Sequence, residues 1–209
     1  MAQAKRIPDL AARRGYHHGN LREALLEGAR QLVGERGPQA FTLTEAARRA
    51  GVSPSAPYRH FKDRDELLAE LCRRGFTLFS QRLQAAAGGT SDAAEALRRM
   101  GPAYLAFARE EPGYYAAMFS VPSEDSGGEA EKGSPFEALT GTIGALLPGG
   151  AGVAGRNPRL VAMQVWALSH GVAMLERAGL PVAESGIPEA EAVLEKGVTD
   201  AAGPYVELD

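Results

Sequence analysis

Residues able to take part in catalysis or metal binding are few and widely separated in this sequence. The pair His17-His18 has no further ligands at a spacing suited to a metal ion. Cys72 is the one cysteine of 209 residues, and its place in an apolar stripe predicts a small buried side chain. His170 is able to act as a base, but a lone histidine on a semi-apolar helix face is usually a hydrogen-bonded core residue. Because no Ser/His/Asp arrangement, HExxH or CxxC spacing is present, we expect no enzymatic activity, no cofactor and no metal site.

One glycine-rich segment matches a nucleotide-binding pattern. Gly150, Gly152 and Gly155 fit G-x-G-x-x-G, whose chemistry requires a preceding strand and a helix that begins at the glycines. Here Pro148 precedes the segment, the next helix cap is at Asn157, and no strand pattern surrounds it. We therefore predict a loop at this point and no dinucleotide site.

The charge distribution divides the chain into a basic first part and an acidic second part. Residues 1–76 carry 14 Lys and Arg against 9 Asp and Glu, whereas residues 77–209 carry 9 against 17. The resulting charges, +5 and −8, combine to the overall −3. A basic module joined to an acidic one suggests a polyanion as the partner of the first part, although a merely solvated basic surface has the same signature.

The elements that position polar groups in the basic part are best defined in the twenty residues that begin at Thr42. Thr42 with Glu45 predicts a helix that starts with a capping box, in which each side chain satisfies a free backbone donor. That helix is expected to stop at Gly51. Ser53 is a second predicted cap and Pro54 suits a first helical position, so a second helix is expected to follow at once. Two helices joined by a short glycine-containing turn match the helix-turn-helix pattern.

Helical signals continue along the rest of the chain. Apolar residues recur at helical spacing from Leu21 to Val33 and from Leu67 to Leu83. A helix that starts at Asp92 is expected to bend or break at Gly101-Pro102, because proline removes a helical hydrogen bond. No segment alternates as a strand does, so we predict an all-α protein of about nine helices. No apolar run of membrane-spanning or signal-peptide length is present, which favours a cytoplasmic protein.

The helix-turn-helix and its flanks resemble the tetracycline-repressor (TetR) family of bacterial transcription regulators. The resembling segments are Phe41-Thr42-Leu43, Ala50-Gly51-Val52-Ser53, Tyr58-Arg59-His60-Phe61 and Asp65-Glu66-Leu67-Leu68. In the second half, Tyr104-Leu-Ala-Phe107 and the helix with Trp166 and His170-Gly171 are similar to the ligand-binding domain of one subgroup. Beyond a basic, non-periodic arm at residues 1–18, the resemblance implies a DNA-binding domain at residues 19–78 and a ligand-binding and dimerisation domain at residues 79–209.

The resemblance also implies two sets of DNA contacts. The positions where the family contacts phosphates are occupied by Thr42, Tyr58, His60 and Arg64. The positions that face the major groove are occupied by Thr44, Pro54, Ser55, Ala56 and Arg59. Phosphate contacts fix the register, whereas Arg59 suits a guanine edge and Ala56 a thymine methyl group. Pro57 departs from the family pattern, which commonly has leucine there, and it removes the first intrahelical hydrogen bond of the second helix.

The resemblance further implies a homodimer that responds to a small molecule. The predicted ligand-binding residues are Tyr104, Phe107, Tyr114, Met118, Phe119, Met163, Trp166, His170 and Met174. Aromatic and methionine residues at helical spacing also commonly fill a core, so both a cavity and a filled core stay open.

The predicted dimer joins the last two long helices of each subunit in a four-helix interface. Two recognition helices then lie about 34 Å apart on double-stranded DNA with a palindromic operator. A small apolar or aromatic ligand is expected to release the DNA, so repression is the expected outcome. The alternative is a helical small-molecule-binding protein or enzyme without a DNA role.

Overall fold

The computed structural model describes residues 21–120, 134–146, 157–179 and 188–202. These residues form eight α-helices and one short 3-10 helix, and no β-strand occurs among them. In chain order the helices are α1 (Leu21–Arg36), α2 (Leu43–Arg49), the 3-10 helix (Pro57–Arg59), α3 (Arg64–Ala87), α4 (Ala93–Glu110), α5 (Pro112–Met118), α6 (Pro135–Leu146), α7 (Pro158–Arg177) and α8 (Ala190–Ala202). The all-α prediction is confirmed.

Capping residues recognised in the sequence start five of these helices. The caps are Thr42 for α2, Asp63 for α3, Asp92 for α4, Ser134 for α6 and Asn157 for α7. In each, a side-chain oxygen accepts a hydrogen bond from a backbone N–H of the first turn, which has no partner inside the helix. The predicted basic arm at residues 1–18 and the glycine-rich motif at residues 150–155 lie outside the described residues.

The fourth helix continues past the proline at which the sequence predicts a bend or a break. α4 runs through Pro102 without interruption, so the predicted break is absent. Gly101, the residue before the proline, faces Leu194 of α8, and a Cβ atom at Gly101 would lie 3.3 Å from Leu194 Cδ2. The Gly-Pro pair therefore marks a close approach of α4 to α8 within a continuous helix.

Two hydrophobic clusters form the interior, and α3 contributes to both. The first cluster joins α1, α2 and the start of α3, with Leu25 and Phe41 among its members. The second cluster joins the rest of α3 to the later helices, with Trp166 near its middle. Leu71 belongs to the first cluster and its neighbour Cys72 to the second, and both are fully buried. α3 thus connects the helix-turn-helix to the interior of the second half.

Candidate functional site

The turn after α2 follows the helix-turn-helix pattern that the sequence predicts. The Glu45 N–H donates to Thr42 Oγ1 over 3.2 Å and the Thr42 N–H donates to Glu45 Oε2 over 3.0 Å, so the capping box is present. After α2, Gly51 adopts a φ of +71°, a left-handed conformation that glycine adopts without strain. The Val52 N–H then donates to the Ala47 carbonyl over 3.0 Å and closes the turn.

The second helix of the motif is shorter than the sequence predicts. No α-helix starts at Ser53-Pro54, and the one helical element between α2 and α3 is the 3-10 turn that begins at Pro57. The Ala56 N–H donates to the Ser53 carbonyl over 3.0 Å, and the His60 N–H to the Pro57 carbonyl over 2.8 Å, each across three residues. Pro57 has no N–H, so it cannot donate to the Ser53 carbonyl as an α-helix requires. The prediction of an α-helix from Pro54 is therefore wrong.

The outer surface of this segment presents polar side chains that have no partner among the described residues. Tyr58 is 61% exposed, and Arg59 and His60 are exposed beside it without a hydrogen bond or ion pair to the described part of the chain. Pro57 and Phe61 of the same segment are buried, and Phe61 belongs to the first cluster. A phenol, a guanidinium and an imidazole thus face solvent from one anchored segment, and each is suited to donate to a phosphate or a base edge.

The other residues predicted to face the groove differ in how exposed they are. Pro54 and Ser55 are exposed, whereas Thr44 and Ala56 are half-buried. The Ser55 hydroxyl lies 3.4 Å from that of Ser53, so these two side chains are partners of one another. Exposure therefore places Pro54 and Ser55 on the same accessible surface as the 3-10 turn and leaves Thr44 and Ala56 partly covered.

Two residues predicted to contact phosphates are already engaged within the protein. The Thr42 hydroxyl donates to Glu45 Oε2 over 3.0 Å. The Arg64 guanidinium donates to Asp65 Oδ1 over 2.8 Å and to Gln39 Oε1 over 3.2 Å, and it lies over the Phe41 ring at 5.7 Å from the centroid. Arg64 therefore braces the loop before α2 against α3, a role that sequence reasoning did not identify.

A buried carboxylate ties α1 to α3 behind the motif. Glu70 is 6% exposed, and it receives hydrogen bonds from Arg22 over 3.1 Å and Arg74 over 2.9 Å and an ion pair from Arg73. Arg74 also donates to Glu23 of α1. Burial raises the pKa of Glu70, but the hydrogen bonds from the two arginines outweigh it and hold that pKa below its ordinary value. Arg22 and Glu70 are 48 positions apart in the sequence, so no local sequence pattern predicts this network.

The interior of the second half holds a polar group within aromatic side chains. Tyr115 Oη lies 2.9 Å from His170 Nδ1 and 3.2 Å from Tyr104 Oη. Burial raises the pKa of Tyr115 to about 12 and lowers the pKa of His170, so the phenol and the imidazole are both neutral near pH 7. Rings in edge or tilted contact around them include Phe79, Phe107, Phe119, Phe136 and Trp166. His170 is hydrogen-bonded, as its position in the sequence predicts.

Three of the predicted ligand-binding residues lie away from that aromatic group. Met163 and Met174 are 45% and 46% exposed, so they share a face of α7 that points to solvent. Tyr114 is half-buried, and the Arg30 guanidinium of α1 lies over its ring at 5.6 Å from the centroid. Met118 is buried against Gly75 of α3. The structure therefore brings together Tyr104, Phe107, Phe119, Trp166 and His170 and separates Met163, Met174 and Tyr114 from them.

Open space lies beside the aromatic group, between α4 and α8. An outer cavity of about 230 Å³ is lined mainly by apolar residues of these two helices, among them Leu97, Pro102 and Leu194. An inner cavity of about 20 Å³ reaches Tyr104 and Trp166. The aromatic residues thus fill a core, and the space for a ligand is next to it.

The short helix α5 joins the second half to α1. The Arg30 guanidinium donates to Glu111 Oε2 over 3.1 Å, and the α1 backbone approaches Gly113 so closely that a Cβ atom there would lie 2.9 Å from the Arg30 carbonyl carbon. Two residues after Gly113 in α5, Tyr115 makes the hydrogen bond to His170. One face of α5 therefore touches the helix-turn-helix domain and the other touches the polar group of the interior.

A face of α7 is apolar and exposed. Leu160, Met163, Met174 and Leu175 are 59%, 45%, 46% and 55% exposed, whereas Tyr58 is the one other large hydrophobic side chain exposed to this degree in the described ranges. Leu160 and Met163 lie near the start of α7 and Met174 and Leu175 near its end, with Met163 and Met174 about three turns apart on one side of the helix. We call these four residues the stripe on α7, and exposed apolar residues that share one side of a helix commonly mark an interaction site.

Two classes of site find no support among the residues that the structure describes. No helix there combines the length and the apolar character needed to cross a membrane. No cluster of three or more His, Cys, Asp or Glu side chains suited to hold a metal ion occurs there either.

Two family models match this chain. The model of bacterial regulatory proteins of the tetR family matches residues 25–71. The model of the tetracyclin repressor-like C-terminal domain matches residues 97–201. The first match spans the helix-turn-helix, and the second spans most of α4 to α8.

Two curated relatives match over part of the chain. The uncharacterised HTH-type transcriptional regulator YobS of Bacillus subtilis is 30% identical over 105 residues, which cover 49% of this chain and 54% of YobS. The HTH-type transcriptional regulator BetI of Rhizobium meliloti is 38% identical over 52 residues, which cover 25% of this chain and 26% of BetI. The chain thus spans about half of the first relative and a quarter of the second.

Solved structures match over nearly the whole chain. A protein of unknown function from Rhodococcus sp. RHA1 has a TM-score of 0.71 and 24% identity, covering 93% of this chain and all of its own. The fatty acid degradation regulator FadR of Bacillus halodurans has a TM-score of 0.69 and 14% identity, covering 91% and 97%. SmeT, the repressor of a multidrug efflux pump of Stenotrophomonas maltophilia, has a TM-score of 0.61 and 21% identity, covering 90% and 91%. At these identities the likeness shows the fold alone.

Proposed function

The chain belongs to the TetR family of bacterial transcription regulators, and we propose that it is a homodimeric cytoplasmic repressor that a small molecule releases from a palindromic operator. The observation that carries the proposal is the anchored segment after the helix-turn-helix turn, which presents Tyr58, Arg59 and His60 to solvent without partners among the described residues. The positive charge of residues 1–76 supports the same role, because it attracts a polyanion. SmeT, which has a similar fold, is a repressor, and this favours repression over activation.

In this proposal the exposed hydrogen-bond donors have different roles in DNA recognition. Tyr58 and His60 donate to phosphates and fix the register, and Arg59 donates to a base edge in the major groove. Thr42 and Arg64 contact phosphates only after exchanging their internal hydrogen bonds, so we assign them mainly to holding α2 and its loop in place. The segment that faces the DNA is a 3-10 turn of three residues. Because it is so short, fewer of its side chains reach the groove than would from a full α-helix.

The exposed stripe on α7 supports the homodimer. Val161, Val165 and Val172 of the same helix are buried within their own subunit, so they belong to the subunit's own core. Leu160 and Met174, by contrast, have large exposed apolar surfaces. We propose that this stripe packs against its symmetry mate in an isologous interface, which removes the apolar area from water.

The effector signal in this proposal passes through α3 and α5. α3 carries residues of both hydrophobic clusters, and α5 holds Gly113 against α1 and Tyr115 against His170. A ligand that alters the second cluster therefore acts on two elements that contact the helix-turn-helix domain. To release DNA, the ligand must bind the non-DNA conformation more tightly than the DNA-bound one.

Electrophoretic retardation with DNA from upstream of the protein's own gene tests the proposal. We expect a discrete complex whose affinity falls steeply as salt is raised, because bound counterions are released from phosphates. Arg59→Ala should weaken the complex. Arg159→Ala is the matched control, because Arg159 is an exposed arginine of α7 paired with Glu137 and remote in sequence from the motif.

The alternative, a helical small-molecule-binding protein without a DNA role, predicts a different result. No retardation of any upstream fragment at low salt, or equal effects of the Arg59 and Arg159 substitutions, contradicts the repressor. A complex whose affinity does not change with salt also contradicts the repressor, since contacts to phosphates weaken as salt is raised.

A further inference from the structure

We propose that the cleft between α4 and α8 is a binding site for an uncharged, apolar small molecule, with its inner end at Trp166. The further statement that this molecule is the effector rests on the function proposed above. The site differs from the aromatic and methionine positions that the sequence suggested, because only Tyr104 and Trp166 of those line it.

The cleft has two chambers that meet at the closest approach of the helices. Leu97, Gly101 and Val198 line both the outer cavity of about 230 Å³ and the inner cavity of about 20 Å³. The Leu194 side chain packs against Gly101 at that point, so Leu194 and the three shared residues form the boundary between the two chambers. A molecule in the outer chamber therefore lies next to a boundary whose other side is lined by Tyr104 and Trp166 of the buried aromatic group.

The lining determines the class of ligand. Leu97, Pro102, Leu194 and Val198 give the walls of the outer chamber a mainly apolar character. An ionised ligand whose charge lies against these walls would lose its hydration, which is unfavourable, and the Glu195 carboxylate stays in water at the rim. The walls therefore select for an uncharged molecule whose surface is mostly hydrocarbon or aromatic.

The charged residues at the mouth are largely occupied by one another. Arg98 pairs with Glu95, and Arg109 Nη1 lies 2.6 Å from Glu191 Oε1. Glu195 is exposed at the rim and stays hydrated. These groups shape the mouth and place a polar border around an apolar interior, an arrangement common to small-molecule sites.

The volume limits the size of the ligand. A volume of about 230 Å³ holds roughly eight groups of the size of a water molecule, each of which occupies about 30 Å³ in the liquid. A single substituted ring or a short branched chain satisfies this limit. The inner chamber, at about 20 Å³, is smaller than one such group, so the ring itself lies in the outer chamber.

Trp166 provides the assay, because it is the sole tryptophan of the sequence and lines the inner chamber. Bromobenzene, an uncharged ring with one heavy atom, should quench its fluorescence in a saturable manner in the full-length protein without DNA. Bromide ion should quench weakly, since Trp166 is 6% exposed. Val198→Phe fills the wall shared by the two chambers and should abolish the saturable phase, whereas Ala192→Phe, at an exposed position of the same helix, should retain it.

A second variant keeps the test valid where Val198→Phe unfolds the protein. Ala94→Phe narrows the outer chamber from the first turn of α4 and should weaken the saturable quenching several-fold, with circular dichroism confirming that the helices are intact. Quenching that stays linear in bromobenzene, or that saturates equally in Ala94→Phe and the wild type, overturns the site. Because no DNA is present, failure to bind an operator leaves this result unchanged and contradicts only the proposed repressor.

Discussion

Replacing Gly113 with alanine tests the contact between α5 and α1 on which the proposed signal depends. Gly113 is buried in the first turn of α5, and a Cβ atom there would lie 2.9 Å from the Arg30 carbonyl carbon and closer still to its oxygen. Real Cβ atoms essentially never approach other atoms within 3.0 Å, and backbone atoms cannot rotate away as a flexible side chain does. The substitution therefore forces α5 away from α1.

The expected change in the free energy of unfolding follows from two opposing effects. Overpacking of a tight contact costs roughly 1–3 kcal/mol of folding free energy. Alanine recovers roughly 0.5–1 kcal/mol in a helix because it has less backbone entropy to lose than glycine. We expect Gly113→Ala to destabilise the protein by up to about 2.5 kcal/mol. Gly141→Ala in α6 is the matched control, since nothing lies within 4 Å of its Cβ position, and it should stabilise by about 0.5–1 kcal/mol.

Urea unfolding followed by far-ultraviolet circular dichroism measures both changes, at one protein concentration because dimerisation contributes to stability. We also expect Gly113→Ala to alter operator affinity in the retardation assay, whereas Gly141→Ala should not. Equal stabilities of the two variants would refute the tight α1–α5 contact. A destabilised Gly113→Ala protein with unchanged operator affinity and unchanged ligand response would refute the role of α5 in the signal.

Three further predictions concern DNA recognition, assembly and pH. Tyr58→Phe should weaken binding to all operator variants by a similar factor, whereas Arg59→Ala should relax preference at one base pair by roughly 1 to 3 kcal/mol, measured by retardation of single-base variants. Met163→Glu combined with Met174→Glu should convert the dimer to monomers in sedimentation experiments, and a persistent dimer would place the interface elsewhere. Since Glu70 has a lowered folded pKa, its stabilising contribution is present above about pH 4.5 and is lost as pH falls further through the folded pKa. The urea midpoint should therefore fall in that acidic window, and Glu70→Gln should flatten this part of the pH profile.

The starts of α2, α3, α4, α6 and α7 were predictable because their causes are local. At Asp63 and Asp92 the capping oxygen and the N–H that it receives are two or three residues apart, so the sequence contains both partners. The same holds for the end of α2 at Gly51, where the left-handed turn needs only the residue itself. The resemblance to the family rested on this local pattern, and the match of both family models confirms it.

Pro57 shows where local reasoning stops. The missing N–H of Pro57 is visible in the sequence and disfavours an α-helix, but the 3-10 turn that replaces the helix depends also on the burial of Pro57 and Phe61. Arg64 is a second case, since its guanidinium is bound to Gln39, 25 residues away. A donor with a suitable residue type looks free in the sequence until the fold supplies its partner.

The sequence by itself determined the helical class, the helix-turn-helix turn and the basic character of the first part, because short spacing and composition decide all three. Tertiary structure alone decided which face of α7 is buried, since Trp166 and Met163 lie on one helix and differ only in what packs against them. It also decided that the space for a ligand lies between α4 and α8, because a cavity is defined by residues such as Leu97 and Val198 that are about a hundred positions apart. The physical reason is that burial and empty volume depend on all neighbours of a side chain, and most of those neighbours are distant in sequence.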